Sequence, residues 1–351
     1  MNELRKDYLL DRWVVIAAQR KQRPTDFKKA KEMSKTSSRS IDRCPFGPGN
    51  ENMTPPATLV YLQIDGEVIK EKDQDDFRHK NWLVRCVPNL FPAFTPSINS
   101  SSLKTSKAGH YEYMNALGHH EVLIESPSHD EHPGVARVAQ FIHVLNAYRD
   151  RFKALSSKDY VEFVSIFRNH GADAGASLSH AHTQIMATPK VPKIVKDEME
   201  KNEEFLQNRG TCAFCDIIES EMGSPRLVWE NENFVAIAPW ASIHPFEFWI
   251  MPRKHQPTIE DLVPGEIHSL ALSFRVCFGG LKRLLDDPPY NSGFHMVSDS
   301  HYHWHLEVYP RLSVWAGFEK STGMFVNVVS PEKASISLRE AIREEEKGIS
   351  E

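Results

Sequence analysis

One stretch decides how the rest of the chain is interpreted, Asn169-His-Gly-Ala-Asp-Ala-Gly-Ala-Ser-Leu-Ser-His-Ala-His-Thr-Gln184. Its last five residues place two histidines and a glutamine two positions apart. On a β-strand such alternate side chains point to one face, about 6.6 Å from one to the next. The residues before them, 169–179, are small and glycine-rich, so backbone N–H groups can approach an anion closely, and Ser177 and Ser179 can add donors. This combination indicates a phosphate site.

The chemistry of the site follows from these residue types. A neutral imidazole is a competent nucleophile toward phosphorus when its second nitrogen is held by an acceptor. This spacing therefore favours a catalytic histidine on the strand, and an adjacent amide such as Gln184 can donate to a phosphoryl oxygen as charge develops. The plainer alternative, a histidine satisfied within a sheet, fits an isolated histidine better than it fits this spacing.

The order of cysteines and histidines occurs twice along the chain. Each half has a cysteine, then a histidine between a strand and a long helix, then a His-x-His strand. Such self-similarity indicates a duplicated unit. We divide the chain into a catalytic half, residues 1–196, and a second half, residues 197–351.

The second half offers a complete set of metal ligands, Cys212, Cys215, His255 and His303. Two thiolates spaced C-x-x-C and two imidazoles are the ligands of a closed tetrahedral zinc site. A chance C-x-x-C beside unrelated core histidines is the alternative, and the repeated order favours zinc.

The first half offers only three of these ligands, Cys44, His129 and His180. Gly47 stands where the second cysteine is expected, and it has no side chain that could ligate. The first site is therefore either empty or completed by water or by a nearby group such as Asn50 or Glu51.

Composition excludes several classes of protein. Hydrophobic residues make up 40% of the 351 residues and charged residues 25%, which is typical of a globular chain. There is no run of about 18 apolar residues and no apolar segment at the start, so we expect neither a membrane span nor a secretion signal. The net charge of -5 argues against a broad nucleic-acid surface, and the five cysteines fit reduced thiols and metal binding. We expect a cytoplasmic protein.

Further motifs extend over nearly the whole chain: Arg20-x-x-Arg23-Pro, Cys44-Pro-Phe, Asn89-Leu-Phe-Pro, Glu125-Ser-Pro-Ser-His129 and Gly317-Phe-Glu319. In this ordered set, together with residues 169–184, the chain resembles the galactose-1-phosphate uridylyltransferase family, within the histidine-triad superfamily. The resemblance implies an α+β fold of two histidine-triad-like units, with a mainly antiparallel sheet flanked by helices.

The resemblance also implies a ping-pong reaction of carbohydrate metabolism. His182 would attack the α-phosphorus of a nucleotide sugar, and a sugar 1-phosphate or phosphate would take the nucleotidyl group from it. UDP-glucose and galactose 1-phosphate are the first expectation. The matching positions assign phosphate contacts to Arg20 and Arg23, a nucleoside contact to Asn89, phosphoryl contacts to Asn169 and Ser177, and a sugar contact to Glu319. Zinc and a homodimer are implied in the same way.

Two departures leave alternatives open. Phe318 stands where the family has tyrosine, and residues 320–323 resemble the branch that includes ADP-glucose phosphorylases. An ADP-sugar phosphorylase, a histidine-triad hydrolase and an inactive zinc-dependent nucleotide-binding protein are therefore alternatives. Gln184, in place of a third histidine, favours transfer over hydrolysis, and the intact arginine and histidine sets argue against an inactive protein.

Two other groups of histidines are interpreted as structural. His305 holds the nucleophile's place in the second half, but the loop before it, residues 297–301, lacks the glycine-rich run. We therefore expect the second half to be structural. His119, His120 and His170 are interpreted as surface or packing residues, with a substrate contact as the alternative.

Overall fold

The computed structural model describes residues 2–17, 43–96 and 105–349. The first-half strands are β1 (Glu3–Lys6), β2 (Trp13–Ile16), β3 (Leu59–Ile64), β4 (Glu67–Glu71), β5 (Trp82–Pro88), β6 (Ser106–Ala108), β7 (Tyr111–Tyr113), β8 (His119–Ile124), β9 (Phe163–His170) and β10 (His182–Thr188). The second-half strands are β11 (Leu227–Glu230), β12 (Phe234–Ile237), β13 (Phe248–Pro252), β14 (Tyr290–His295), β15 (His305–Pro310) and β16 (Phe325–Asn327). The α-helices are α1 (Val138–Ser156), α2 (Lys193–Arg209), α3 (Ala213–Glu221), α4 (Pro264–Leu285), α5 (Gly317–Thr322) and α6 (Pro331–Glu346).

The two halves share one antiparallel sheet. Its strand order is β11-β12-β13-β15-β14-β9-β10-β8-β5-β3-β4. Strands β14 and β9 meet at the centre, with Asn291 opposite Asn169. Outward from this seam, β15, β13 and β12 mirror β10, β8 and β5, so the duplication expected from the sequence takes the form of a pseudo-twofold sheet.

One face of this sheet is covered by α1 and α4. The apolar residues of α1 recur at three- and four-residue steps, and Phe141, Val144, Tyr148 and Phe152 are buried in the core that also takes β8, β9 and β10. Helix α6 packs on α4 so closely that a Cβ at Gly280 would lie 2.4 Å from Ile342 Cγ1. Glycine is therefore required at this contact.

The opposite face differs between the halves. In the second half it is covered by α2 and α3, which contribute Val195 and Phe214 to a separate apolar cluster with Trp249. In the first half Val122 and Ile124 of β8 lie on this face, and so does His182, which is paired with Ile124. Among the first-half residues that the structure describes, no α-helix covers the face that carries His182, whereas α2 and α3 cover the corresponding face of the second half.

A small second sheet joins the start and end of the chain. Strand β2 pairs antiparallel with β1 and parallel with β16. Arg5 of β1 forms an ion pair with Glu332 of α6, and its guanidinium lies 3.9 Å from the centre of the Trp240 ring. These contacts hold β1 against residues of the second half.

These elements confirm the predicted α+β class, with a mainly antiparallel sheet and flanking helices. The predicted boundary between residues 196 and 197 falls inside α2, which continues to Arg209. Within the described ranges, no helix combines the length and apolar character needed to cross a bilayer.

Candidate functional site

Strand β10 presents His182 and Gln184 on the open face of the sheet. It lies between β8 and β9, with His182 opposite Ile124 and Gln184 opposite Val122. On its other side β10 pairs antiparallel with β9, and the last paired residues are Gln184 and Phe167. Continuing this register by two residues places His182 opposite Asn169. The register therefore brings the expected nucleophile and a polar amide side by side.

His182 is held in one tautomer. Its Nδ1 lies 2.7 Å from the carbonyl oxygen of His180, and a carbonyl can only accept, so Nδ1 carries the proton and Nε2 has the lone pair. The ring is buried, and Phe46 packs edge-on against it at 5.3 Å between ring centres. Burial lowers the pKa of His182, and the charge of Arg168 lowers it further. The imidazole is thus neutral and suited to nucleophilic attack.

A buried polar network supports this strand from the helix side. Glu125 pairs with Arg168, and both side chains are almost fully buried. The same carboxylate oxygen accepts from Thr183 at 2.5 Å and from the Tyr148 hydroxyl at 3.0 Å. Because Thr183 lies between His182 and Gln184 on β10, this network anchors β10 to α1.

The glycine-rich loop is shaped by positive backbone angles. Gly171 and Gly175 have φ of 81° and 86°, and a short 3-10 turn spans Ala172–Ala174. Glycine is favoured at such angles because it has no Cβ that would clash with the backbone. The loop is also tied to the second half, because Asn291 Nδ2 lies 2.8 Å from both Asn169 Oδ1 and the carbonyl oxygen of Ala174. Ser177 is exposed at the same end of the sheet.

Gln184 contacts a histidine that the sequence did not single out as functional. His120 Nε2 lies 2.8 Å from Gln184 Oε1, and its Nδ1 accepts from the backbone N–H of Ala93 at 3.1 Å. Asn89 Nδ2 is 3.0 Å from the same Nε2. The expected nucleoside contact, Asn89, is therefore linked to Gln184 through His120. Only the alternation of 120, 122 and 124 along β8 could have indicated the shared face.

Three other predicted residues are not brought to His182 by the described contacts. Arg20 and Arg23 lie outside the described residues. Glu319 lies in the first turn of α5, where its carboxylate accepts from the backbone N–H of Ala316 at 2.9 Å. Its part in sugar binding stays a prediction.

The second-half ligand set is assembled as the sequence predicted. Cys212, Cys215, His255 and His303 place one ligand atom each within 4.8 Å of one another. Cys215 Sγ lies 3.6 Å from His255 Nδ1 and 3.4 Å from His303 Nδ1. The Nε2 atoms of the two histidines lie 2.9 Å from the carbonyl oxygens of Ser300 and Pro252. Each ring therefore keeps Nδ1 free for a metal, as outer hydrogen bonds to ligand histidines usually ensure.

The first-half set has three members. Cys44, His129 and His180 also lie within 4.8 Å, and Cys44 Sγ is 3.6 Å from His180 Nδ1. His180 Nε2 is 2.8 Å from the carbonyl oxygen of Ser126, which corresponds to the Pro252 contact in the second half. Glu51 does not join this set: its carboxylate accepts from the Trp82 indole and from the backbone of Gly49. It is therefore not the missing ligand.

His305 occupies the position in the second half that corresponds to His182, and aromatic side chains enclose it. His305 is fully buried, with the Phe214 and Trp249 rings 4.7 and 5.2 Å from its own. It belongs to another cluster of side chains that could hold a metal ion, which contains no cysteine and comprises Glu198, His295, His305 and Glu307. This enclosure agrees with the expectation of a structural second half. This cluster could not be predicted from sequence spacing, because Glu198 comes from α2, far along the chain from the other three.

Known proteins resemble the chain over nearly its whole length. The family described as galactose-1-phosphate uridyl transferase, N-terminal domain, matches residues 67–192. ADP-glucose phosphorylase of Arabidopsis thaliana is 32% identical over 345 residues, covering 96% of this chain and 92% of the relative. Galactose-1-phosphate uridylyltransferase of Thermotoga maritima is 28% identical over 354 residues, covering 97% and 98%. The crystal structure of the Arabidopsis phosphorylase with bound ADP-glucose superimposes with a TM-score of 0.77 at 29% identity, covering 97% of this chain and 99% of that one.

Proposed function

The chain belongs to the galactose-1-phosphate uridylyltransferase family, in the branch with ADP-glucose phosphorylase, and from this premise we propose that it transfers a nucleotidyl group through His182. It is a nucleotidyltransferase that acts on sugar phosphates. The observation that carries the proposal is the fixed tautomer of His182, whose Nε2 lone pair lies on the open face of the sheet beside Gln184.

The reaction has two balanced steps. In the first, His182 Nε2 forms a bond to the α-phosphorus of a nucleotide sugar, the bond from that phosphorus to the bridging oxygen breaks, and sugar 1-phosphate leaves. The nucleotidyl-imidazole is cationic, and the Nδ1–H bond to the His180 carbonyl stabilises it. In the second step, phosphate or a sugar 1-phosphate attacks the same phosphorus and frees the histidine. Asn169, Ser177 and Gln184 would contact the transferred group.

We infer an ADP-sugar as the first nucleotide to test. The relative with 32% identity is an ADP-glucose phosphorylase, whereas the Thermotoga uridylyltransferase is 28% identical. Residues 320–323 also resemble the phosphorylase branch. Uridylyl transfer from UDP-glucose to galactose 1-phosphate is the second candidate, favoured by the family match over residues 67–192.

Intact-mass spectrometry at neutral pH tests both candidates, because a phospho-histidine bond is acid-labile. The protein is mixed separately with ADP-glucose, UDP-glucose and UDP-galactose. An AMP-sized adduct supports the phosphorylase, and a UMP-sized adduct supports the uridylyltransferase. The adduct should be absent in His182→Ala and present in His268→Ala, which alters an exposed histidine of α4. No adduct from any of the three would contradict the proposal and favour the hydrolase or the inactive binder.

Zinc is the metal that suits both cysteine-containing sets. Thiolate and imidazole donors in a group of four are typical of structural zinc. We assign zinc to Cys212, Cys215, His255 and His303, and a weaker, three-ligand site to Cys44, His129 and His180. Such a metal would brace the segment before His182 through His180. All five cysteines are free thiols, which suits the reducing cytoplasm expected for this enzyme.

A homodimer would complete the substrate site. The family resemblance implies a dimer in which both chains complete each site, and the described hydrogen bond of Glu319 lies within its own helix. Large apolar side chains are exposed near Asn89 and on the second half, with Phe91 84% and Val314 89% exposed. Sedimentation that gives the mass of one chain would refute the dimer.

A further inference from the structure

His120 is buried at the point where the nucleoside and phosphoryl contacts of the proposed reaction meet. Only 8% of its surface is exposed, and both ring nitrogens have close polar neighbours. On β8 it is paired with Met186 of β10, one diagonal step from Gln184. Diagonal neighbours in an antiparallel pair are within reach of long side chains. The ring thus lies on the same face as His182.

The contacts of this ring define its protonation. The backbone amide of Ala93 can only donate, so Nδ1 must accept and Nε2 must carry the hydrogen. Of the two atoms close to Nε2, only Gln184 Oε1 can accept that hydrogen, because Asn89 presents an NH₂ group that itself donates. The ring is consequently neutral, with Nε2–H directed at Gln184.

This bond determines which end of the Gln184 amide is available. With Oε1 engaged by His120, the Gln184 NH₂ group remains, and it donates to no atom of the described residues. Rotation of the amide by half a turn would instead present Oε1 to the phosphoryl oxygens. Both atoms are hydrogen-bond acceptors, so they would repel each other. An amide without a fixed partner can adopt either orientation.

We propose that His120 is a positioning residue, which fixes the Gln184 amide in the orientation that donates to the transferred phosphoryl group. This inference rests on the proposed function, since it needs a phosphoryl group beside Gln184. Through its other nitrogen, His120 also holds Ala93 and with it the segment that carries Asn89. The two nitrogens therefore serve two different parts of the nucleotide.

Two substitutions separate these roles. The side-chain NH₂ of His120→Gln can take the place of Nε2–H, while the side-chain oxygen of His120→Asn can take the place of Nδ1. We expect His120→Gln to form the nucleotidyl-enzyme within about threefold of the wild-type single-turnover rate, with weaker nucleotide binding. His120→Asn should bind nucleotide like the wild type but react roughly 100-fold more slowly, at the lower end of the loss expected for one oriented donor. The matched controls are His119→Gln and His119→Asn, which alter the adjacent residue that contacts Tyr160 at 2.6 Å.

The outcomes are distinguishable. Equal losses of rate in the two His120 variants, or a slower His120→Gln, would overturn the positioning role. Absence of any nucleotidyl-enzyme in the wild type would overturn the proposed function itself. A second measurement does not depend on activity: imidazole ¹⁵N NMR of the wild type, assigned with His120→Gln, should show His120 protonated at Nε2. A proton on Nδ1 would overturn the inference even if the enzyme is active.

Discussion

Asn291 Nδ2 lies 2.8 Å from Asn169 Oδ1, across the seam where the two halves share a sheet. The same nitrogen reaches the carbonyl oxygen of Ala174 in the glycine-rich loop. Because Asn169 Oδ1 is engaged, its NH₂ group is the end left to donate toward the site of His182. The second half therefore supports the reacting half, although its own counterpart of His182 is enclosed.

Replacing Asn291 should slow the chemistry without unfolding the protein. In Asn291→Ala, Asn169 and the loop lose hydrogen bonds worth about 1 kcal/mol each, and we expect nucleotidyl-enzyme formation to slow roughly 5-fold to 30-fold. Single-turnover release of sugar 1-phosphate measures this rate. Asn146→Ala is the matched control, since that amide bonds within α1. A wild-type rate in Asn291→Ala would show that Asn169 is held in place without it.

Gly47→Cys should complete the first metal site. A Cβ built at Gly47 would lie 3.8 Å from Cys44 Cβ and meets no atom closer than 3.4 Å, so this position has room for a Cβ. We expect the zinc content after dialysis against a weak chelator to rise by up to one ion per chain, measured by elemental analysis. Gly49→Cys is the control: it adds a thiol two residues away, where a Cβ meets open space, at a φ of 88°. Equal zinc in Gly47→Cys and wild type would contradict the three-ligand interpretation.

Removal of metal from the second half should lower stability. Structural zinc sites contribute their binding free energy to folding, so a strong chelator should lower the Tm of the wild type in calorimetry. In Cys215→Ser we expect a lower initial Tm and a smaller further fall with chelator. Cys277→Ala, which alters a buried thiol outside both sets, should retain the full chelator effect. A chelator shift of the same size in Cys215→Ser would refute zinc at this set.

The Arg168–Glu125 pair should be costly to break. Their side chains are only 5% and 1% exposed, so Arg168→Met leaves a buried carboxylate without its partner. We expect a loss of about 3–5 kcal/mol in the free energy of unfolding, measured by denaturant titration. Lys193→Met breaks an exposed pair with Asp197 and should change stability by less than about 1 kcal/mol. Similar losses in both variants would contradict the role assigned to burial.

Asp73 should make stability depend on acid pH. Burial alone would raise its pKa, but the backbone N–H groups of His79 and Ala57 and the side chains of Arg85 and His79 lower it below its ordinary value of 3.8. Arg78 also lies 4.0 Å away. Because the pKa of Asp73 is lower in the folded protein than in the unfolded chain, its carboxylate stabilises the fold at any pH above the unfolded pKa. This stabilisation is lost as the pH falls through the pKa of the folded protein.

We therefore expect Asp73→Asn to unfold at lower temperature than the wild type at pH 7. The difference should shrink once the pH falls below the ordinary pKa. Scanning calorimetry at pH 7, 5 and 3 measures it, with the exposed Asp76→Asn as control. A difference that grows toward low pH would show that the carboxylate is not stabilised in the folded state.

The sequence predicted the repeated order of elements because local patterns carry that information. The apolar spacing in α1 and the alternation in the strand containing His182 are local signals, and both elements are present. The joining of both halves into one sheet is not local. It depends on β9 pairing with β14, and alternation along a strand indicates its faces but not its partner.

In the candidate site too, the features that depend on local sequence were predictable and those that depend on long-range packing were not. The second-half set of metal-ligating side chains was predictable because the same landmarks recur in order, and the structure brings all four together. The link between His120 and Gln184 was not, because it depends on the register of β8 against β10. The enclosure of His305 was not predicted in detail either, since it depends on where α2 and α3 pack. The substrate contacts of Arg20, Arg23 and Glu319 stay predictions.

The central seam has a consequence for biosynthesis. Strand β9 ends at His170 and its partner β14 begins at Tyr290, so about 120 residues must be added before the pair can form, which takes on the order of ten seconds at typical rates of synthesis. Throughout that interval β9 presents an unpaired edge, which is a template for pairing with other chains. Cleavage of the finished chain within α2 would not recreate the problem while the halves stay paired, but separate expression would. Each half should aggregate when it is expressed alone, and both halves should be recovered in soluble form when they are expressed together.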